Sequence, residues 1–193
     1  MALRLYDTRS RRKRIFETLV EGEVGIYVCG ITPYSPSHIG HARQAIAFDI
    51  IVRWLRKSGF LVNYITNFTD IDDKIIRIAN EENIDFLDVA NRNIDDYFEV
   101  MDLLNVNRAD SYPRVTETIP EIIDMIVKLI ENGNAYSSHD GVYFEINTAP
   151  EKYGQLTGQT LEMVREGAGG RVSETGTGKK NHRDFALWKI AKP

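Results

Sequence analysis

The stretch Val24-Gly-Ile-Tyr-Val-Cys29, followed by Gly30-Ile-Thr-Pro-Tyr-Ser-Pro-Ser-His38-Ile-Gly-His41, decides the fold. Its first six residues are typical of a short buried strand, and the Gly-, Pro- and Ser-rich residues after them predict a loop. A helix is predicted over about residues 40–57, because apolar residues recur there with helical spacing. These residues are Ala47, Ile50, Ile51, Trp54 and Leu55. A second strand is predicted over 60–67. The order strand, helix, strand indicates a right-handed parallel βαβ unit.

The rest of the chain is predicted to be mainly helical, with one hairpin. Asp85 can cap one amphipathic helix, and a second helix follows Pro120, which suits a first helical turn. The tripeptide His139-Asp-Gly141 lies between two β-prone stretches and predicts a hairpin turn. The polar, glycine-rich segment 147–183 is predicted to be irregular and mobile.

Length and composition exclude several classes of protein. The chain has 193 residues, of which 42% are hydrophobic and 27% charged, as expected for one folded domain with a small insertion. It contains no apolar run long enough for a membrane span and no apolar core of a signal peptide at its start. The single cysteine, Cys29, excludes an internal disulfide. We therefore expect a cytoplasmic protein with no membrane partner.

Net charge argues against a surface that is basic throughout. The formal net charge is −4, whereas proteins that bind nucleic acid without sequence preference are usually basic. One dense basic run, Arg9-Ser-Arg-Arg-Lys-Arg14, leaves local contact with nucleic acid open. The simpler reading of that run is a solvated face near the start of the chain.

His38 and His41 are the strongest candidates for chemistry. They lie between the carboxyl end of a predicted strand and the start of the next helix, which is where α/β sheets bind ligands. A helix N-terminus favours phosphate, and residues three apart project to one side of the first turn. Imidazole donors placed there can stabilise charge that develops on phosphorus, and Gly40 lets a nucleotide approach the backbone. The alternative is a helix start with two solvated histidines.

Two other groups of residues have competing readings. A lone cysteine such as Cys29 is most often a small buried hydrophobic residue, and residue types alone make a complete metal site improbable. The block Asn67-Phe-Thr-Asp-Ile-Asp-Asp-Lys74 contains three aspartates that can bind magnesium or a ribose. It is equally consistent with helix capping by Asp70 or Asp72.

At these residues the chain resembles the cysteinyl-tRNA synthetases, a family of class I aminoacyl-tRNA synthetases. Four blocks match that family in order. They are Tyr27-Val-Cys-Gly-Ile-Thr32, His38-Ile-Gly-His41 with Ala42-Arg43, Asn67-Phe-Thr-Asp-Ile-Asp-Asp-Lys74 and Asp184-Phe-Ala-Leu-Trp-Lys189. Several synthetases share the second block, whereas the first joined to the third is much more specific. The chain resembles the N-terminal portion of such an enzyme.

The resemblance implies an α/β fold. Residues 1–84 would be the first half of a Rossmann-type (HUP-like) parallel-sheet catalytic domain. Residues 85–193 would form a helical and β-hairpin connective insertion with a Gly-rich mobile segment. The second catalytic half and the anticodon-binding domain of the family would be absent from this chain.

The resemblance also implies a two-step reaction. L-cysteine is activated by ATP, with Mg2+, to cysteinyl-adenylate, and the cysteinyl group is then transferred to tRNA(Cys). By match, His38 and His41 would be catalytic, and His38, Gly40 and His41 would contact the phosphates of ATP. The chain alone would be inactive, which leaves room for a C-terminal companion chain as a partner.

Selection of the amino acid is implied by the same match. Gly30, Thr32 and Thr69 would line the amino-acid pocket. Cys29 would be one ligand of a zinc ion that binds the substrate thiolate, with one Zn2+ per complete enzyme and the other ligands beyond this chain. The sequence departs from the family around Tyr34, where Pro33 and Ser35 stand in place of an aliphatic residue and an acid, so the loop geometry should differ locally.

Two other functions remain as alternatives. One is a non-catalytic module that binds a nucleotide or tRNA. The other is a ligase that activates cysteine with ATP but passes it to a small amine acceptor.

Overall fold

The computed structural model describes residues 3–148, 150, 152–158 and 178–190. The strands are β1 (Arg4–Asp7), β2 (Arg12–Ile15), β3 (Glu23–Ile31), β4 (Leu61–Phe68), β5 (Ala135–Ser138), β6 (Gly141–Phe144) and β7 (Phe185–Lys189). The helices are α1 (Ile39–Lys57), α2 (Asp73–Glu82), α3 (Phe86–Leu103) and α4 (Ile119–Glu131). Within these described ranges, no helix combines the length and the apolar content needed to cross a membrane.

The chain forms two compact units. One comprises Glu17–Ile119, and the other comprises Met1–Phe16 with Pro120–Pro193. This division differs from the functional boundary expected between residues 84 and 85. That boundary stays a prediction, because a compact unit need not coincide with a functional half.

In the unit Glu17–Ile119, β3 and β4 pair in parallel and α1 connects them. The register runs from Glu23 opposite Leu61 to Val28 opposite Thr66, and after an irregularity Ile31 pairs with Phe68. The predicted α/β class and the strand, helix, strand unit are therefore confirmed.

Helix α3 covers one face of this strand pair. Ile31 and Phe68 pack with Ile94 of α3 in one buried cluster. Phe68 also contacts the rings of Tyr97 and Tyr112, edge-on and stacked respectively. The helix predicted after Asp85 is confirmed, since the Asp85 side chain accepts a hydrogen bond from the N–H of Leu87 at 2.7 Å.

Of the five apolar residues that predicted the helix, α1 buries only Leu55. Ile50 and Trp54 are 62% and 61% exposed, whereas the buried residues follow another helical row. The buried residues are Ala42, Ala45, Asp49, Val52 and Leu55. Asp49 is tolerated on this side because its carboxylate accepts hydrogen bonds from Arg53 Nε at 2.8 Å and from the Asn107 N–H at 3.2 Å.

The segment after α3 runs beside β4. It forms isolated parallel bridges between Ile65 and Ser111 and between Phe68 and Arg114. The N–H of Thr66 donates to Ser111 O at 3.2 Å. This segment therefore supplies hydrogen bonds to backbone groups of β4 that β3 does not use.

In the other unit, the described residues form two antiparallel sheets, β1–β2 and β5–β6–β7. The hairpin predicted at His139-Asp-Gly141 is confirmed, and α4 includes Pro120 in its first turn as predicted. Strand β7 was not predicted. Buried Asp184 accepts hydrogen bonds from Ile146 N–H at 3.1 Å and from Tyr136 OH at 2.7 Å. Most of the segment predicted to be irregular and mobile, over 159–177, lies outside the described residues.

The two glycines of β3 predict a contrast in stability. A Cβ at Gly30 would overlap the carbonyl oxygen of Asn67, whereas a Cβ at Gly25 would meet nothing within 4 Å. We expect Gly30→Ala to lower the free energy of unfolding by about 2–3 kcal/mol, because the backbone of β4 has to shift. The matched control Gly25→Ala should change it by less than about 1 kcal/mol. Urea unfolding measures both values, and equal effects of the two variants would contradict the close approach.

Candidate functional site

The site begins at the carboxyl end of β3, where the strand is irregular. The pairing of β3 with β4 shifts register between Val28 and Ile31. The N–H of Gly30 donates to Asn67 Oδ1 at 2.9 Å. Irregularities of this kind often re-aim backbone and side chains next to functional sites. Here the side chain of Cys29 is exposed rather than packed in the core.

Asn67 brings the candidate residues of β3 and β4 together. Its Oδ1 accepts from Gly30, and its Nδ2 donates to Thr69 Oγ1 at 3.4 Å. The N–H of Thr69 donates to Ile31 O at 3.0 Å. Thr32 contributes its carbonyl, which accepts from the Tyr34 N–H at 2.9 Å. Gly30 and Thr69 therefore lie beside each other, and Thr32 begins the loop that leaves them.

His38 is the N-cap of α1. Its Nδ1 accepts a hydrogen bond from the Gly40 N–H at 3.0 Å, and its carbonyl accepts from the N–H groups of His41 and Ala42. Because Nδ1 is an acceptor, the proton of the neutral ring lies on Nε2, which is left as a donor. A Cβ at Gly40 would lie 2.7 Å from His38 Cε1. Gly40 therefore makes room for the His38 ring, a reason that the sequence did not reveal.

His41 stacks on His38, with 3.9 Å between ring centroids and 23° between ring planes. Burial lowers the pKa of His41, and the neighbouring His38 lowers it further, whereas Asp96 acts in the opposite direction. Its Nδ1 is buried and has no hydrogen-bond partner among the described residues. His41 is therefore biased towards the neutral form and keeps an unused polar atom at the site.

The helix start adds positive potential to the two rings. The first turn of α1 contains no acidic residue, while Arg56 and Lys57 lie in its last turn. The dipole of a helix is equivalent to about half a positive charge at its N-terminus. An anion placed beside His38 would therefore meet the helix dipole and an imidazole donor together, which suits a phosphate group.

Two residues of α3 hold the loop that precedes His38, and sequence analysis missed both. Buried Asn93 donates from Nδ2 to Pro33 O at 3.2 Å and to Val89 O at 2.8 Å. Asp96 Oδ2 accepts from the Ser37 N–H at 2.7 Å. The one available signal was a polar residue, Asn93, interrupting the apolar face of an amphipathic helix. These contacts position the loop and place a carboxylate close enough to influence His41.

The aspartates after β4 have structural partners. Asp72 caps α2, because its Oδ1 accepts from the Lys74 N–H at 2.9 Å. Asp70 is fully buried and accepts hydrogen bonds from the N–H and the hydroxyl of Thr116. The capping interpretation is therefore confirmed for Asp72. Asp70 instead holds the segment that runs beside β4.

Zinc does not fit the donor set that the described residues provide. Within the described ranges, no three His, Cys, Asp or Glu side chains are grouped as metal ligands. A zinc site needs about four ligands, or three with an open position. Cys29 offers one exposed thiol, and its carbonyl oxygen is already bonded to Gln44 Nε2 at 2.9 Å. We derive no chemical step through zinc.

The environment of His41 predicts a measurable titration. Its NMR titration midpoint should lie below the ordinary value of 6.5, because burial and His38 disfavour the imidazolium. His38→Gln should raise that midpoint, and Asp96→Asn should lower it further. The folded state takes up this proton less readily than the unfolded state, so this group's stabilisation is lost as pH falls below about 6.5.

A matched control separates the effect of Asp96 from a general loss of negative charge. Asp95→Asn removes one charge from the adjacent residue of α3, whereas the pKa shift of His41 arises from burial, His38 and Asp96. We expect it to leave the midpoint of His41 unchanged. Equal shifts from Asp95→Asn and Asp96→Asn would contradict the role of Asp96.

Sequence comparison shows similarity to tRNA synthetases. Residues 15–193 match the family described as tRNA synthetases class I (C) catalytic domain. The chain is 52% identical to the cysteine–tRNA ligase of Thermococcus onnurineus over 193 residues, which is all of this chain and 40% of that protein. It is 49% identical to the cysteine–tRNA ligase of Nitratidesulfovibrio vulgaris over 192 residues, or 99% of this chain and 39% of that protein.

Structural comparison agrees on the fold. The methionyl-tRNA synthetase of Mycobacterium tuberculosis, solved in complex with methionyl-adenylate, superposes with a TM-score of 0.54 at 23% identity. The superposition covers 64% of this chain and 25% of that one. This likeness supports the Rossmann-type fold. Since the family match spans nearly the whole sequence, the chain belongs to the class I tRNA synthetase family, in its (C) catalytic-domain group.

Proposed function

We propose that this chain carries the ATP-binding part of a cysteine–tRNA ligase. Relatives with that name are about 50% identical over the whole chain, and this observation carries the proposal. The chain spans about 40% of the length of these relatives, so the activity of the whole protein is part of the proposal. The substrates are ATP with Mg2+, L-cysteine and tRNA(Cys), and the site of action is the cytoplasm.

His38 and His41 act on the phosphates in this proposal. An oxygen of the cysteine carboxylate attacks the α-phosphorus of ATP, and the bond to the bridging oxygen breaks, so that pyrophosphate leaves with its electron pair. The Nε2–H of His38 and the start of α1 favour the negative charge that develops during this step. The pKa of His41 is lowered, so the neutral form of its ring is favoured, and a neutral imidazole can still donate one hydrogen bond.

The amino-acid pocket is proposed beside the carboxyl ends of β3 and β4. Gly30 and Thr69 are held there by Asn67, and Thr32 follows on the same loop. Glycine at position 30 leaves no side chain between the two strand ends. The carbonyl of Asn67 occupies that space, so the two strand ends lie close together and the proposed pocket lies beside them. Cys29 is proposed as one zinc ligand of the complete enzyme, because its side chain is exposed at this strand end.

The two alternative functions have less support. A non-catalytic binding module and a ligase with a small amine acceptor would both keep the histidine pair. The named relatives at about 50% identity favour the synthetase over either.

A histidine substitution tests the proposed role in activation. In the full-length protein we expect His41→Ala to lower cysteine-dependent ATP–pyrophosphate exchange about 100-fold or more, as for the loss of one preorganised donor. The control is His139→Ala, which removes an exposed histidine from the turn between β5 and β6. Exchange by His41→Ala at the wild-type rate would remove His41 from the proposed machinery.

Zinc affinity provides a separate prediction. We expect the 193-residue chain to lose zinc on dialysis against a mild chelator, because one thiolate cannot match the affinity of four converging ligands. Elemental analysis by mass spectrometry measures the zinc that remains, with Cys29→Ser as the reference. Stoichiometric zinc in the parent chain but not in Cys29→Ser would contradict this expectation and show that Cys29 belongs to a closed site.

A further inference from the structure

The hairpin of β1 and β2 concentrates the chain's positive charge. Residues 1–16 contain six of the 24 Lys and Arg residues but only one of the 28 Asp and Glu residues. The whole chain has a formal net charge of −4, so the remaining residues are strongly acidic. Such segregation creates a local positive field that the overall charge conceals.

The strand register divides the hairpin into two faces. Arg4 pairs with Ile15 and Tyr6 with Lys13, while Leu5 pairs with Arg14 and Asp7 with Arg12. Directly opposed residues of an antiparallel pair share a face, and successive residues alternate between faces. We call the face with Arg4, Tyr6, Lys13 and Ile15 the ribbon face. The opposite face carries Leu5, Asp7, Arg12 and Arg14.

The two faces differ in how their charges are compensated. On the opposite face, Arg14 Nη1 lies 3.6 Å from Asp7 Oδ2. The ribbon face carries no carboxylate, and within the described part of the chain the side chains of Arg4 and Lys13 have no hydrogen-bond or ion-pair partner. Tyr6 is 62% exposed between these cations. The ribbon face therefore offers uncompensated charge beside an accessible aromatic ring.

The hairpin is also attached to the rest of its own compact unit. Arg11, in the turn between the strands, has a positive φ of 54°. Its Nη2 donates to Thr157 O at 3.1 Å. The N–H of Phe16 donates to Leu3 O at 2.8 Å and closes the open end of the hairpin. The turn of the hairpin is thus held to Thr157, and its open end is closed by a hydrogen bond within the hairpin.

We propose that the ribbon face binds RNA, with Arg4 and Lys13 on backbone phosphates and Tyr6 stacked on a base. The inference rests on the proposed function, in which the RNA is the tRNA substrate. Cations that follow the backbone together with an aromatic ring for stacking are the recurring features of RNA-binding surfaces. An anionic membrane would favour a broader apolar face than Tyr6 and Ile15 provide.

Two double variants with equal change of charge test the ribbon face. Arg4→Gln with Lys13→Gln removes its cations, and Arg12→Gln with Arg14→Gln removes the same charge from the opposite face. Labelled tRNA and fluorescence anisotropy at several salt concentrations give the affinity and its salt dependence. We expect the first variant to weaken binding about 10-fold and to reduce the slope of log K against log[salt] by about 1.5, as for two lost phosphate contacts. The second should change that slope by less than half as much.

Substitution of the aromatic ring gives an independent measurement. Tyr6→Phe keeps a stacking surface and should bind tRNA like the parent protein, whereas Tyr6→Ala should bind about 5- to 10-fold more weakly. Thermal unfolding shows whether each variant is folded. If the double variant Arg4→Gln with Lys13→Gln is unfolded, the two single variants provide the same test. Each should reduce the slope of log K against log[salt] by about 0.7–0.9.

Several results would overturn the inference. Equal losses from the two double variants would show a non-specific charge effect, and no loss from either would exclude RNA contact here. Loss of binding to phosphatidylserine vesicles with unchanged tRNA binding would assign the face to membranes instead. Cysteine-dependent pyrophosphate exchange should be unchanged in the ribbon-face variants. Absence of that exchange in the parent full-length protein would refute the proposed function, independently of the ribbon face.

Discussion

The close approach of β3 and β4 at their carboxyl ends is the constraint on which the site depends. Gly30 has no side chain, so its N–H reaches Asn67 Oδ1 and its Cα lies against the Asn67 backbone. Just beyond this point, the loop to α1 follows β3, and Thr69 follows β4. A larger residue at position 30 would push the two strand ends apart and so separate Thr69 from the loop that follows β3.

Periodicity in the sequence was sufficient to predict the elements of this unit but not the orientation of α1. The spacing of Ile50 and Trp54 correctly indicated a helix, because both periodic rows of α1 are largely apolar. The row that is buried contains Asp49, which a hydrophobicity argument would place in solvent. Its burial depends on Arg53 and on the backbone of Asn107, a partner 58 residues away that no local pattern reveals.

In the candidate site, too, the sequence indicated some residues and not others. The position of His38, Gly40 and His41 at the start of α1 was predictable, because the residues before them indicate a strand and a loop, while their chemical role stays a prediction. Asn93 and Asp96 were not, since they contact the backbone groups of Pro33 and Ser37, which every residue type provides. Such supporting contacts leave no motif. They are visible only once α3 is packed against the loop.

The stacking of His38 on His41 disfavours a positive charge on both rings at once. Two imidazolium rings 3.9 Å apart would repel each other, and burial already lowers the pKa of His41. The hydrogen bond from Gly40 to His38 Nδ1 further requires that this nitrogen carry no proton. The helix start and the N–H donors therefore supply positive potential at the site without requiring a formal charge on His41. Donors of this kind are already oriented before a ligand arrives, so they can stabilise charge that develops on a phosphate without reorganising.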